Sequence, residues 1–194
     1  MFLSIESELV MFFKSKKRIS EEISSAIVTA MRPHFVGTEY FSNGGWDAPP
    51  NFWYDRYILG VAFGIYTFLI KYQFKGHNMT SQKRSEIFEY CLDSLCGQES
   101  ASVMRHYMSL MQKDDSELRR GVNDAATMFL VAMGKVLDED DDPILVKARE
   151  ISSDLHDITN AMPFGNSANG RLLTAVQSLT LGKHIENKFL CGSK

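Results

Sequence analysis

The chain predicts an all-α fold, a bundle of about seven or eight helices around a buried apolar helix at Phe52–Phe74. Three observations predict it. Apolar residues recur at i, i+3, i+4 and i+7 along most of the length, which is the period of a helix with one buried face. No segment shows the two-residue alternation of a half-buried strand. Finally, Tyr57–Ile70 reads YILGVAFGIYTFLI without one charged side chain, so it must be wrapped on every side by protein or by lipid.

Taken in order, Ile5, Leu9, Phe12 and Phe13 mark a short amphipathic segment with Ser4 as its cap. Lys14, Lys16, Lys17 and Arg18 then read as a solvated linker, setting residues 1–18 apart as a peripheral arm. Ser20-Glu21-Glu22 opens a second helix, whose Ile23, Ala26, Ile27, Ala30 and Met31 share a face. Pro33 ends it. The irregular stretch Arg32–Asn51 holds Gly37, Gly44, Gly45, Pro49 and Pro50. The apolar helix follows from Asn51 or Phe52, and Gly76 closes it.

Thr80 or Ser81 begins a helix with Ile87, Phe88, Cys91, Leu92 and Leu95 inward and Gly97 as its C′ residue. Ser100 caps the next, which carries Val103, Met104, Tyr107, Met108 and Met111. After Asp114-Asp115, a helix turns Leu118, Val122, Ala125, Ala126, Phe129, Met133, Val136 and Leu137 inward. Pro143 suits the first turn of another, running through Ile144, Ala148, Ile151, Leu155, Ile158 and Met162. Pro163-Phe164-Gly165-Asn166 breaks it. A last helix spans Ser167–Leu181, Gly182 separates a final short turn, and residues 186–194 form a frayed tail. The whole reads as one helical domain over residues 1–194, a length that buries a full core without staples.

The fourteen residues of Tyr57–Ile70 rise about 21 Å as a helix, short of the ~30 Å hydrocarbon core of a bilayer. Trp53, Tyr54, Tyr57 and Tyr72 imitate an interfacial aromatic belt. The other helices are amphipathic, however, and no second spanning segment exists, so a buried core helix is expected and membrane insertion is not. Within this segment Gly60 and Gly64 form a GxxxG, where a neighbouring helix crosses closely or a second copy docks.

A formal charge of −3 with scattered Lys and Arg gives no nucleic-acid surface. The three cysteines, Cys91, Cys96 and Cys191, form no CxxC pair and leave one over, which fits free thiols in a reducing compartment. In MFLSIESELVMFFKSKK, Glu6 and Glu8 interrupt the apolar run and the basic residues follow it, unlike a signal peptide. The expected location is cytoplasmic.

The loop Arg32–Asn51 is the candidate functional surface, because long irregular connections in compact domains often carry function. His34, Trp46 and Asp47 in it, with Trp53 and Asp55 just beyond, are the candidate ligand-binding residues: aromatics beside carboxylates line small-molecule pockets. The plainer reading is a loop stapled to the bundle by its own aromatics, with Asp47 starting the turn before Pro49-Pro50.

No metal site is expected. The five histidines are dispersed, and Asp154, His156 and Asp157 diverge around a helix. Asp138-Glu139-Asp140-Asp141-Asp142 lacks the glycine and terminal glutamate of a calcium loop and reads as the cap of the helix at Pro143. Met104, Met108 and Met111 read as core packing, with an adaptable binding groove as the alternative. No nucleophile elbow, phosphate loop or dinucleotide fingerprint occurs, so neither a catalytic residue nor a cofactor is expected.

The expected function is that of a non-enzymatic helical protein acting through a protein partner or through self-association as a homodimer. The alternative is a small-molecule-binding protein or enzyme with its site under the aromatic loop. A third reading attaches Phe2, Leu3, Phe12, Phe13 and the nearby basic residues to a membrane surface.

Overall fold

Helix formation here is set by capping and by close helix crossings, and both are visible in the computed structural model, which describes residues 2–42, 45–136, 141–154 and 168–191. The fold is all-α. Its α-helices are α1 (Phe2–Met31), α2 (Arg56–Tyr72), α3 (Ser81–Cys96), α4 (Ser100–Gln112), α5 (Ser116–Ala132), α6 (Pro143–Asp154) and α7 (Ala168–Gln177). Extended pairing among the described residues is limited to a two-residue antiparallel bridge, Phe41–Ser42 against Gly45–Trp46.

The first correction concerns α1. It runs unbroken for thirty residues, so the linker and the second helix start expected at Lys14–Glu22 are one continuous helix. Neither Gly nor Pro interrupts Phe2–Met31, and Ser20 is satisfied inside the helix instead of capping it. Its hydroxyl donates to the Lys17 carbonyl (2.7 Å), and that of Ser24 donates to the Ser20 carbonyl (2.8 Å). The basic residues also find partners: Lys16 pairs with Glu86 of α3, and Arg18 with Glu22 one turn on (3.0 Å).

Before α2 the chain makes a short turn, Phe52–Tyr54, and then a true N-cap at Asp55, whose carboxylate accepts the Ile58 N–H (2.9 Å). Asn51 sits at φ 61° and Asp55 is extended, which keeps the helix from starting at Phe52. At the other end Lys75, at φ 51°, takes the left-handed position expected of Gly76. Gly76 is needed for another reason: a Cβ there would lie 2.3 Å from Ile70 Cγ2. Tyr57 through Ala62 are buried all round, whereas Thr67 is exposed, so the apolar segment is fully wrapped only in its first half.

Helices α2 and α5 lie side by side and parallel, at a crossing built from three glycines. A Cβ on Gly60 would fall 2.1 Å from the Leu118 carbonyl oxygen, and one on Gly64 2.6 Å from Ala125 Cβ. On the facing helix a Cβ on Gly121 would fall 2.2 Å from the Tyr57 carbonyl oxygen. Further along, Phe68 and Phe129 stack with centroids 4.1 Å apart. The face of Gly60 and Gly64, expected to seat either a neighbouring helix or a second copy, is filled by α5 of the same chain. This crossing also explains why α5 is rotated from its expected face. Gly121 and Asp124 point inward with Leu118, Ala125, Met128 and Val131, because only glycine admits α2 at that distance.

Helix α1 packs antiparallel to α2, and α3 packs on α1, where the Ser24 hydroxyl reaches the Cys91 carbonyl (3.4 Å). Thr80 caps α3 through the Lys83 N–H (3.2 Å), and Gly97 follows its end at φ 55°. Ser100 is not a cap, since a helical turn at Gly97–Glu99 leads directly into α4. In α4 the buried face is Val103, Tyr107 and Leu110, while Met108 and Met111 are about half exposed. Tyr107 fixes that rotation by packing on Phe63 (4.9 Å) and Phe88 (5.2 Å), so the expectation of a methionine core stripe is corrected.

Asp115 caps α5 through Glu117 and Leu118 (both 3.0 Å), and Asp142 caps α6 through Ile144 (2.8 Å). The acidic residues 138–140 and the expected continuation through Leu155, Ile158 and Met162 lie outside the described residues. Beyond Gln177 the helix does not stop at Gly182. It continues through widened turns at Ser178–Gly182 and Glu186–Leu190, so residues 186–190 of the expected frayed tail are helical.

Gly60→Ala forces a backbone clash that no rotamer relieves, and is expected to cost about 3 kcal/mol. The check is the urea midpoint at constant m-value; an unchanged midpoint would mean the crossing is looser than described.

Candidate functional site

The five residues expected to bind a ligand do not gather round one cavity. Trp46 stacks on Phe35 (5.4 Å) and meets Phe52 (5.7 Å) and Trp53 (6.2 Å) edge-on, so the loop aromatics pack mainly on one another. Phe189, from the end of the α7 run, completes the cluster against Phe52 (5.1 Å). Asp47 is exposed at the loop surface. His34 faces the backbone at Gly182, where a Cβ would approach its Nδ1 to 2.8 Å. Its Nε2 and the Trp46 Nε1 are buried with no hydrogen-bond partner among the described residues. Burial lowers the His34 pKa to about 4, so the ring is neutral at neutral pH.

Asp55 differs from the other four, because it anchors a polar layer that the sequence reading missed. Its side chain is 3% exposed and receives three donors. Oδ1 accepts the Ile58 N–H and His184 Nε2 (both 2.9 Å), and Oδ2 accepts Lys188 Nζ (2.6 Å). Burial opposes ionisation, but the hydrogen bonds from His184, Lys188 and Ile58 outweigh it and hold the carboxyl well below the usual carboxylate range.

His184 is held from its other side, where Arg120 donates to Nδ1 (3.3 Å). That pairing assigns the proton to Nε2, facing Asp55. The imidazole lies against the Tyr57 ring (4.3 Å), and the Arg120 guanidinium covers that ring (4.2 Å). The Tyr57 hydroxyl donates to Asp124 (2.7 Å) in the interior. Burial first, and then Asp124, raise the Tyr57 pKa far above its ordinary value; burial also raises that of Asp124. Both ring nitrogens of His184 and the Tyr57 hydroxyl are thus committed to other side chains. The layer ties α2, α5 and the α7 run together at one end of the bundle, and offers no free general base.

One signal of this layer was present in the sequence. His184 and Lys188 lie four residues apart, one helical turn, so a carboxylate facing that turn meets both. Nothing local identified Asp55 as that carboxylate. The buried Cys91 and half-buried Cys96 are poor nucleophiles, since burial pushes both thiols up to about 12. Among the described residues no three His, Cys, Asp or Glu side chains converge as a metal site, and no helix is long and apolar enough to cross a membrane.

Among the described residues, three openings of ligand size stand out. One of about 580 Å³ lies over Arg120, Lys183, His184 and Lys188, but Glu117 and Asp55 already neutralise its Arg120 and Lys188. A second, about 560 Å³, lies between α2, α3 and α4 and is walled by aromatics. The largest, about 650 Å³, is a groove over α2 between α1 on one side and α5 and α7 on the other. Its floor is apolar, with Ile65, Leu69, Met128, Phe129 and Leu173. Ala26, Ala30 and Ala132 keep it open by being small, and Glu21, Glu22, Gln73 and Gln177 form a polar rim. No Lys or Arg lines it among the described residues.

No family model, curated protein or solved structure matches the chain, so its chemistry is read from this geometry alone.

Asp55→Ala leaves His184 and Lys188 without their acceptor and removes the α2 cap, a loss of about 3 kcal/mol expected at pH 7. Because the Asp55 pKa is depressed in the folded state, its stabilisation is present above the unfolded carboxylate range and fades as pH falls through it. The variant should therefore lose part of the wild-type acid dependence below pH ~4. An equal slope in both proteins would rule this out.

His34 acts at higher pH. Its folded pKa near 4 lies below the ordinary value of 6.5, so the unfolded chain binds the proton first and stability falls as pH drops through that window. His34→Phe should flatten the stability profile between those pH values, by up to about 3 kcal/mol at the acid end. A profile that keeps its slope in the variant would assign the acid sensitivity elsewhere.

Proposed function

We propose that this protein is a helical binding protein, built around α2 as its central post, that receives an amphipathic helix of a protein partner in the groove over α2. The groove itself carries the proposal: an apolar floor, small residues that hold it open, and an acidic and amide rim without a cation. That combination suits helix-in-groove recognition, in which apolar anchors at i, i+3, i+4 and i+7 fill the floor. Glu21 and Glu22 make the rim acidic; Lys17 and Arg18 pair with them one turn back, so basic residues of a partner beside those anchors would compete for exposed, exchangeable ion pairs. Homodimerisation through Gly60 and Gly64 draws no support, because α5 covers both. The reading of a small-molecule site under the loop is weaker too, because Trp46 and Trp53 are spent on packing with each other.

The probe is a designed amphipathic peptide with leucine anchors at that spacing and lysines flanking them, followed by fluorescence anisotropy. Ala26→Trp, which fills the groove, should abolish binding at an unchanged melting temperature. Glu21→Lys combined with Glu22→Lys should weaken it several-fold and most strongly at low salt. Binding that survives Ala26→Trp would remove the groove as the docking site.

A further inference from the structure

The opening between α2, α3 and α4 has a character that neither the groove nor the polar layer shares. Its walls are four interlocked rings. Phe63 lies 4.9 Å from Tyr107 and 5.3 Å from Phe88, and Tyr66 lies 4.9 Å from Phe88. Met104 and the half-exposed Met108 border the same space from α4. Methionines are flexible and polarizable, so such a wall adapts to flat or irregular apolar bodies and makes favourable sulfur–aromatic contacts. The volume, about 560 Å³, falls within the range of small-molecule sites.

Two cations stand at this pocket on different helices, Lys71 on α2 and Arg84 on α3. Neither makes an ion pair among the described residues. Lys71 lies 5.0 Å over the Tyr72 ring, and Arg84 makes a long contact with the Ser81 hydroxyl (3.5 Å). Both residues are exposed. No Asp or Glu lines the pocket among the described residues. The opening over Arg120 differs: there Glu117 and Asp55 answer Arg120 and Lys188 and Lys183 alone is left, with no ring wall beside it, while here both cations stand over an aromatic pocket and are left for a ligand. Tyr66 braces the arrangement by donating its hydroxyl to the Arg84 carbonyl (2.6 Å), which fixes the α3 backbone beside the rings.

We infer that this pocket binds a small anionic amphiphile, with its aromatic or alkyl body among the rings and methionines and a carboxylate or sulfonate held by Lys71 and Arg84. An apolar body alone would use the rings and leave the cations idle, and a bare anion would forgo the apolar walls. Only a ligand with both parts uses every feature of the lining.

The test compares two fluorescent probes of similar shape, the anionic anilinonaphthalene sulfonate and the uncharged phenylnaphthylamine, on the full chain. Lys71→Gln combined with Arg84→Gln should weaken the sulfonate roughly tenfold, as expected for losing charge-assisted contacts, and leave the neutral probe unchanged. Met108→Trp, at a half-exposed position that tolerates the larger ring, should displace both probes at an unchanged melting temperature. Ala26→Trp, in the groove over α2, should displace neither. Decanoate should compete with the sulfonate, and decanol more weakly. Equal behaviour of the two probes in the double variant would overturn the inference, as would displacement by Ala26→Trp with Met108→Trp silent.

Discussion

The approach of α2 to α5 is the constraint on which the remaining structure depends. Gly60, Gly64 and Gly121 let the two backbones come so close that a single methyl group on any of them would meet main-chain or Cβ atoms. Three consequences follow. The approach turns Asp124 inward, where it accepts the Tyr57 hydroxyl. It sets Phe68 on Phe129 and so forms one wall of the groove. It also leaves the N-terminus of α2 facing the α7 run, where Asp55 collects His184 and Lys188. Glycine costs helix stability, about 1 kcal/mol each relative to alanine, and close packing offsets that cost here.

The polar layer around Asp55 resembles catalytic groupings in its residue types, and its hydrogen bonding argues for a different role. A histidine between a carboxylate and an arginine has no lone pair left for a substrate. A tyrosine that donates to a buried carboxylate, with its pKa raised, is a poor source of phenolate. What the layer provides is registry: Asp55 at the start of α2 is answered by His184 and Lys188 of the α7 run, and Tyr57 of α2 by Asp124 of α5. A buried carboxylate left unanswered would cost several kcal/mol, so a shifted packing of α7 is penalised. The widened turns at Ser178–Gly182 and Glu186–Leu190 flank His184, and the second contains Lys188; such turns often accompany sites with special geometric demands.

The two surfaces assigned binding roles lie on different sides of α2 and have opposite electrostatics. The groove has an acidic rim and an apolar floor, while the aromatic pocket has uncompensated cations above rings. Both arise because the second half of α2 is incompletely covered. Thr67 is exposed, and Phe63, Phe68 and Leu69 are only partly buried. A helix whose only charges, Arg56 and Lys71, stand at its ends therefore serves as core in its first half and as the floor of two openings in its second.

By itself the sequence determined the helical class, most of the helix ends, and three of their caps. Thr80, Asp115 and Asp142 act within three residues of themselves, and Gly97 adopts a backbone state that other residues avoid, so local chemistry is enough to place them. Periodicity likewise identified Ile23, Ile27, Ile87 and Leu92 as buried. Which face of a helix wins, when two faces carry apolar residues, was decided only in three dimensions. Leu110 joined Val103 and Tyr107 in place of Met108 and Met111, and Gly121 and Asp124 displaced Val122, because neighbours far along the chain fixed the rotation. The candidate site divides the same way. Asp55 could be singled out locally, but its partner His184 lies 129 residues away, and no local pattern specifies a contact of that range. The fate of Gly60 and Gly64 was settled in the same manner: the pattern required a close approach, and only the tertiary structure chose α5 over a second copy of the chain.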